Sequence, residues 1–180
     1  GGGMANTFLL AQGKPIGASL AEPDMIQTAQ RILKVAELND CKILLPKDVV
    51  VAVEFKSDAT HRIVKIDDVT NFEMILDAGP EAVIDAGSFL ENCATIVWNG
   101  PMGAFEMPPF DAATNALAKI VAAKTQNNGV MSIAGGGDTM AALANAGVSH
   151  QFSYVSTAGG AFLEWLEGKR LPGVEALRKG

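Results

Sequence analysis

The feature that most constrains this chain is a recurring unit: a short run that is apolar on both faces, a glycine-bearing turn, then a helical pattern. EMILDAGP (Glu73–Pro80), ATIVWNGP (Ala94–Pro101), GVMSIAGGG (Gly129–Gly137) and QFSYVSTAGG (Gln151–Gly160) all have this form, and KILLP (Lys42–Pro46) is a further strand candidate. Runs without polar alternation suit strands of a parallel sheet covered by helices on both sides. Between them lie helical patterns over Pro23–Asn39, Glu81–Glu91, Asp111–Gln126 and Thr139–Ala146. Pro23 and Pro80 fit first-turn positions, where the missing N–H costs nothing. Repeated strand, helix and strand predict an α/β fold with a mostly parallel sheet and right-handed crossovers. Val49–Ile66 interrupts the rhythm and reads as a small antiparallel excursion. With 180 residues, 48% of them hydrophobic, and no linker or repeat of domain scale, residues 1–180 are expected to form a single domain.

Charge removes several function classes. Fourteen basic residues against twenty acidic ones give a formal charge of −6 without a run of one sign, which argues against nucleic acid as a partner. No apolar stretch reaches membrane-spanning length and no basic, then apolar, leader is visible, so a cytoplasmic protein with no membrane partner is expected. Cys41 and Cys93 read as separate reduced thiols. His61 and His150 fall in polar, loop-like contexts that suit the surface, and no His, Cys or Ser suggests a covalent intermediate.

In open α/β sheets, ligands bind beyond the carboxyl ends of the strands, where this sequence concentrates its glycines. In MSIAGGGDTMAALANAG the triple glycine Gly135–Gly137 leads directly into a helix, and free N–H groups at such a mouth suit an anion. Asp138 would repel a bare phosphate. It is compatible with one that arrives with Mg²⁺, a cation that takes one or two carboxylates together with phosphate oxygens. The other reading of Asp138 and Thr139 is plain occupancy of the helix cap and first turn. In WNGPMGAFE, Met102 and Ala104 offer apolar surface for a base and Glu106 an acceptor for ribose hydroxyls, although a solvated loop acid and a core methionine fit the same letters.

Six stretches in succession, GGGMANTFL, IGASLAEPD, LDAGP, WNGPMGAFE, AGGGDT and STAGGAFLEWLEGKRLPGVEAL, resemble the C-terminal half of the phosphoglycerate kinase family over nearly the whole chain. The resemblance implies a Rossmann-like, three-layer αβα lobe, incomplete at its N-terminal side. It also implies reversible phosphoryl transfer between 1,3-bisphosphoglycerate and ADP, giving 3-phosphoglycerate and MgATP in glycolysis. Carried over residue by residue, Gly1, Gly2 and Pro101 match the adenine slot with Asn99 nearby, and Glu106 matches the ribose-binding acid. Asp138 matches the metal-linked carboxylate, and Gly136, Gly137 and Thr139 match phosphate contacts. Gly159 and Gly160, with Gly136, match the glycines facing the transferring phosphoryl group.

The chain departs from the family pattern in two ways. Ala158 stands where the family usually has a glycine, and the family's GGAK-type lysine and entire N-terminal lobe, with its phosphoglycerate site, have no counterpart here. Lys14, Lys42, Lys47 and Lys169 read as surface charges rather than phosphate ligands. The expectation is a fragment that binds ADP or ATP with Mg²⁺, is inactive without the missing lobe, and self-associates through an exposed sheet edge. A dinucleotide-dependent oxidoreductase would need G-x-G-x-x-G in a first βαβ unit with an acid about twenty residues on, and that spacing is absent. A non-catalytic, nucleotide-binding or self-associating fragment is the remaining alternative.

Overall fold

A computed structural model describes residues 1–156 and 159–178. The chain forms two compact units: unit 1 comprises Gly1–Asn92 with Pro101–Leu117, and unit 2 comprises Cys93–Gly100 with the chain from Ala118 onward.

Unit 1 begins with helix α1 (Gly2–Ala11) and α2 (Ile26–Leu38), the latter preceded by a 3₁₀ turn that Pro23 opens. Its sheet holds β1 (Asp48–Ala52), β2 (His61–Lys65) and β3 (Met74–Ala78) in the order β2-β1-β3, followed by α3 (Pro80–Leu90), which Pro80 opens. All five residues of β1 are buried. Successive side chains of a strand point to opposite faces. Accordingly Val49 and Val51 pack with Leu9, Ile16 and Val64, whereas Val50 and Ala52 pack with Ala59, Leu76 and Phe110.

The antiparallel excursion is present and larger than expected. β1 pairs antiparallel with β2, and β3, expected as a strand of the parallel sheet, also runs antiparallel to β1. No α-helix separates these strands, and a parallel return requires a long crossover, usually helical. KILLP is not a strand: residues 41–46 carry no regular structure, and the strand starts at Asp48 instead. Pro46 has no N–H to give a ladder, so an apolar run at this position gains little from pairing. His61 opens β2 rather than lying in a loop; its Nδ1 lies 2.9 Å from the Ala59 carbonyl oxygen, and its ring meets Phe110 edge-on. His150 lies in an exposed 3₁₀ turn.

Unit 2 carries the parallel sheet, β4 (Thr95–Asn99), β5 (Met131–Gly135) and β6 (Tyr154–Ser156), in the order β4-β5-β6. Helix α4 (Ala112–Asn128), whose residues up to Leu117 belong to unit 1, lies between β4 and β5 in the chain, and α5 (Gly137–Asn145) links β5 to β6. Helices α6 (Gly159–Leu166) and α7 (Pro172–Arg178) follow. The α/β class with a parallel, helix-connected sheet is thus as expected. Trp98 and Phe152 close the core of this unit edge to face, with ring centroids 6.3 Å apart. Ser132 and Ser153 exchange backbone-to-hydroxyl hydrogen bonds of 3.1 Å, extending the β5–β6 pairing.

Candidate functional site

The predicted residues divide between the units. Gly1, Gly2, Pro101 and Glu106 belong to unit 1, and Asn99, Gly136, Gly137, Asp138, Thr139, Gly159 and Gly160 to unit 2.

In unit 1 the GGGMA turn meets the residue after Pro101. The Gly2 N–H donates to the Met102 carbonyl at 3.1 Å. A Cβ on Gly1 would fall 2.4 Å from that same oxygen, so a larger residue could not approach as Gly1 does. Gly2 has φ +62°, a left-handed geometry that favours glycine. Beside this junction lies a cavity of about 550 Å³. Its apolar lining includes Leu20, Phe55, Met74, Leu76, Met102 and Ala104. The size suits a flat organic group held by apolar walls. The IGASL stretch is pinned to β3, with the Ala18 N–H donating to the Glu73 carbonyl at 2.8 Å and the Ile75 N–H to Ser19 Oγ at 2.8 Å. Asn6 Nδ2 then holds the Leu20 carbonyl at 3.0 Å. Glu106 is exposed, with its carboxylate open to solvent.

Two acids shape the same unit. Asp77, at the cavity wall and 1% exposed, accepts N–H groups from Ala78 and Ala113 at 2.9 Å each. Burial pushes its carboxyl up to about 7, against the pull of those donors. Glu73 is held down at about 2, chiefly by Arg62 and further by Thr70. Its oxygens accept from Arg62 Nε at 2.6 Å, Arg62 Nη2 at 2.8 Å, the Thr70 N–H at 3.0 Å and Thr70 Oγ1 at 2.9 Å. This ion pair fixes the turn before β3.

In unit 2 the end of β4 and the mouth of α5 form one small arrangement. Asn99 pairs with Gly135 across the parallel ladder, and the Gly100 N–H donates to Thr139 Oγ1 at 2.7 Å. Thr139 is 1% exposed, so its hydroxyl serves this internal bond, a role the sequence did not suggest. Gly136 caps α5 with φ +100° and ψ 146°, and no side chain caps the helix. The leading N–H groups of α5 are therefore free of side-chain partners, as an anion cradle requires. Asp138 is exposed in the first turn of α5, the position the plainer reading gave it, and α5 has no side-chain cap bond. Among the described residues no three His, Cys, Asp or Glu side chains converge. A divalent cation here would rest on Asp138 and on oxygens of its ligand, and an exposed carboxylate beside uncapped amides fits Mg²⁺ carried by a phosphate.

Gly159 and Gly160 open α6, whereas Thr157 and Ala158, the rest of the STAGGA turn, lie outside the described residues. The lysines follow the surface reading: Lys14 pairs with Asp67, Lys47 with Asp85 and Lys169 with Glu167, and Lys42 sits 5.6 Å over the Phe89 ring. Cys41 and Cys93 form no disulfide. Among the described residues no helix is long and apolar enough to cross a membrane. The sequence reading missed the cavity walls at Leu20, Phe55 and Met74 and the acid Asp77. IGASL and LDAGP were visible as motifs, but only the fold brings them together.

Comparison with known proteins follows the same lines. A profile of the phosphoglycerate kinase family matches residues 1–169. A phosphoglycerate kinase of Xanthobacter flavus is 62% identical over 179 residues, covering 99% of this chain and 45% of the relative. One from Rhodospirillum centenum is 60% identical over 177 residues, covering 98% of this chain and 45% of its own length. The solved phosphoglycerate kinase of Coxiella burnetii superposes with a TM-score of 0.92 at 48% identity, covering 97% of this chain and 44% of that one. The chain thus spans a little under half the length of the relatives it matches. It belongs to the phosphoglycerate kinase family.

Proposed function

We propose that this chain is the nucleotide-binding, C-terminal half of a phosphoglycerate kinase, a single lobe over residues 1–180 that binds ADP or ATP with Mg²⁺. The observation that carries the reading is the cavity of unit 1. Gly2 and Gly3 of GGGMA and Met102–Ala104 of PMGA, two motifs a hundred residues apart, line one apolar recess of about 550 Å³, and Gly2 is among the residues the family resemblance matches to adenine. In this reading the walls at Leu20, Met102 and Ala104 hold the base, with Gly1, Gly2 and Pro101 of the same unit as its neighbours. Glu106 accepts from the ribose. For unit 2, taken by itself, the family resemblance assigns phosphate contacts to Gly136, Gly137 and Thr139 and the accompanying Mg²⁺ to Asp138, and the uncapped mouth of α5 supports that assignment.

The Mg²⁺ supplies charge neutralisation on the phosphates. The chain's own contribution to phosphoryl transfer is position and fixed donors, because such a transfer asks little covalent chemistry of the protein. Backbone N–H groups at Gly136, Gly159 and Gly160 stabilise negative charge on the transferring group without reorganising. The acceptor site belongs to the family's other lobe, so the chain alone does not turn over, and the cytoplasm is where this glycolytic step would run. A second reading, self-association, draws on β4. This outer strand carries no charged side chain and exposes Val97, whereas the outer strand β2 carries Arg62 and Lys65, which discourage pairing.

Photolabelling with 2-azido-ADP tests the nucleotide reading. Labelled peptides should contain Leu20 or Met102, and excess ADP should suppress the label. Labelling elsewhere, or insensitivity to ADP, would overturn the assignment. Sedimentation of the same sample reports self-association, and a monomer at all concentrations would remove the second reading.

A further inference from the structure

Asp77 gathers three stretches of unit 1 onto one side chain. Its Oδ1 accepts the Ala78 N–H at the end of β3, and its Oδ2 accepts the Ala113 N–H in the first turn of α4. From the third side comes Gly103, so close that a Cβ there would lie 2.3 Å from Oδ1 and 2.5 Å from the Leu76 carbonyl oxygen. The segment around Gly103 is tied at both ends, by Met102 N–H to Thr114 Oγ1 at 3.0 Å and by Ala104 N–H to the Leu76 carbonyl at 2.8 Å. Met102, Gly103 and Ala104 are also a wall of the cavity.

Asp48 provides an internal comparison. It is 2% exposed, accepts the Glu81 and Ala82 N–H groups at 3.0 and 2.7 Å, and has Gly79 pressed against its carboxylate at 2.3 Å from a would-be Cβ. The device is the same: a buried carboxylate on a strand holds the first turn of a helix, and a glycine is required where the chain passes over it. Asp48 holds α3 and is not part of the cavity lining, whereas Asp77 holds α4 and the cavity wall.

We infer that Asp77 is a positioning residue for nucleotide binding, its carboxylate setting the Met102–Ala104 wall against which the base packs. This rests on the nucleotide reading above. A carboxylate can satisfy two N–H donors, whereas the isosteric amide satisfies one and turns its own NH₂ on the other, leaving a buried donor without a partner. The wall then shifts to relieve the conflict, and affinity falls although both carboxylate oxygens are engaged by backbone N–H groups of the protein.

The experiment compares the wild-type chain with Asp77→Asn and Asp48→Asn at pH 8, where Asp77 is ionised. MgADP affinity is measured at a temperature at which each variant is folded. Asp77→Asn should weaken MgADP about tenfold, the scale of one lost charge-assisted hydrogen bond, and Asp48→Asn by less than about twofold. Equal affinities in the two variants would overturn the inference alone, because a purely structural acid has no reason to differ from its counterpart. A wild-type chain that binds no MgADP would remove the nucleotide reading and this inference with it. Should Asp77→Asn fail to fold, hydrogen exchange on the wild type decides. MgADP should slow exchange at the Ala78, Ala104 and Ala113 amides more than at Glu81 and Ala82, and equal slowing would overturn the proposal.

Discussion

Replacing Gly136 with alanine separates the backbone demand of the α5 mouth from simple crowding. At φ +100° and ψ 146°, Gly136 occupies a region that residues with a Cβ avoid. Space is not the obstacle, since the nearest atoms to an added Cβ are Asn99 Oδ1 at 3.4 Å and Thr139 Oγ1 at 3.5 Å. The cost is therefore torsional, on the order of 1–3 kcal/mol, and a value near the middle corresponds to a fall of about 4–8 °C in thermal midpoint for a chain of this length. Gly137 is the control. It is the first residue of α5, has no atom within 4 Å of a would-be Cβ and no left-handed φ, so Gly137→Ala should leave stability unchanged or raise it by up to about 1 kcal/mol. Thermal unfolding followed by circular dichroism measures both. If Gly136→Ala escapes a change of peptide orientation, its strain remains; if it relaxes by rotating the peptide, the amide cradle is lost and MgADP affinity drops as well. A Gly136→Ala midpoint equal to that of Gly137→Ala would refute the torsional argument.

Asp138→Ala should weaken nucleotide binding mainly when Mg²⁺ is present; calorimetry showing equal losses with and without the metal would contradict its role as metal-facing carboxylate. Glu106→Gln should cost about 1–2 kcal/mol of ADP binding and almost nothing for a 2′,3′-dideoxy analogue, and identical losses for both would refute ribose recognition. Glu73 has its folded-state pKa depressed, so its contribution is fully present above its ordinary range near 4.5 and is lost as pH falls toward about 2. The stability gap between wild type and Glu73→Gln should accordingly narrow over that window, and a gap independent of pH would count against the Arg62–Glu73 pair. Asp77 behaves in the opposite sense: its pKa is raised, so its favourable contribution is complete below about 3.8 and is lost as pH rises through about 7. Asp77→Asn should abolish that slope, and a slope that survives the substitution would assign it to another group.

The parts of the fold that are local in sequence were legible. Proline at a first turn, a glycine after an apolar run and a 3.6-residue period identified α2 through α5 and the strands of the parallel sheet, because each element announces itself within a dozen residues. KILLP was misleading since apolar content says nothing about whether a partner strand is available, and β3 was given the wrong pairing sense because direction depends on connection length rather than on its own side chains. The site was legible as motifs but not as a place. That Gly2 bonds to Met102, or that Ser19 ties the IGASL stretch to β3 beside the same recess, depends on contacts across dozens of residues. Thr139 illustrates the limit most clearly. Its hydroxyl, expected to face a phosphate, is engaged by the Gly100 N–H, a partner that no spacing rule near Gly135–Gly137 indicates. Asp77 was read only as part of a turn, since burial and convergent donors are properties of the folded chain.

A calorimetric titration of the chain with ADP in excess Mg²⁺ tests the central claim most directly. The account predicts saturable binding of one nucleotide with a dissociation constant below about 1 mM, a free energy more favourable than about −4 kcal/mol, together with an upward shift of the thermal midpoint. Absence of both heat and thermal shift at millimolar MgADP, in a sample shown to be folded, would contradict it.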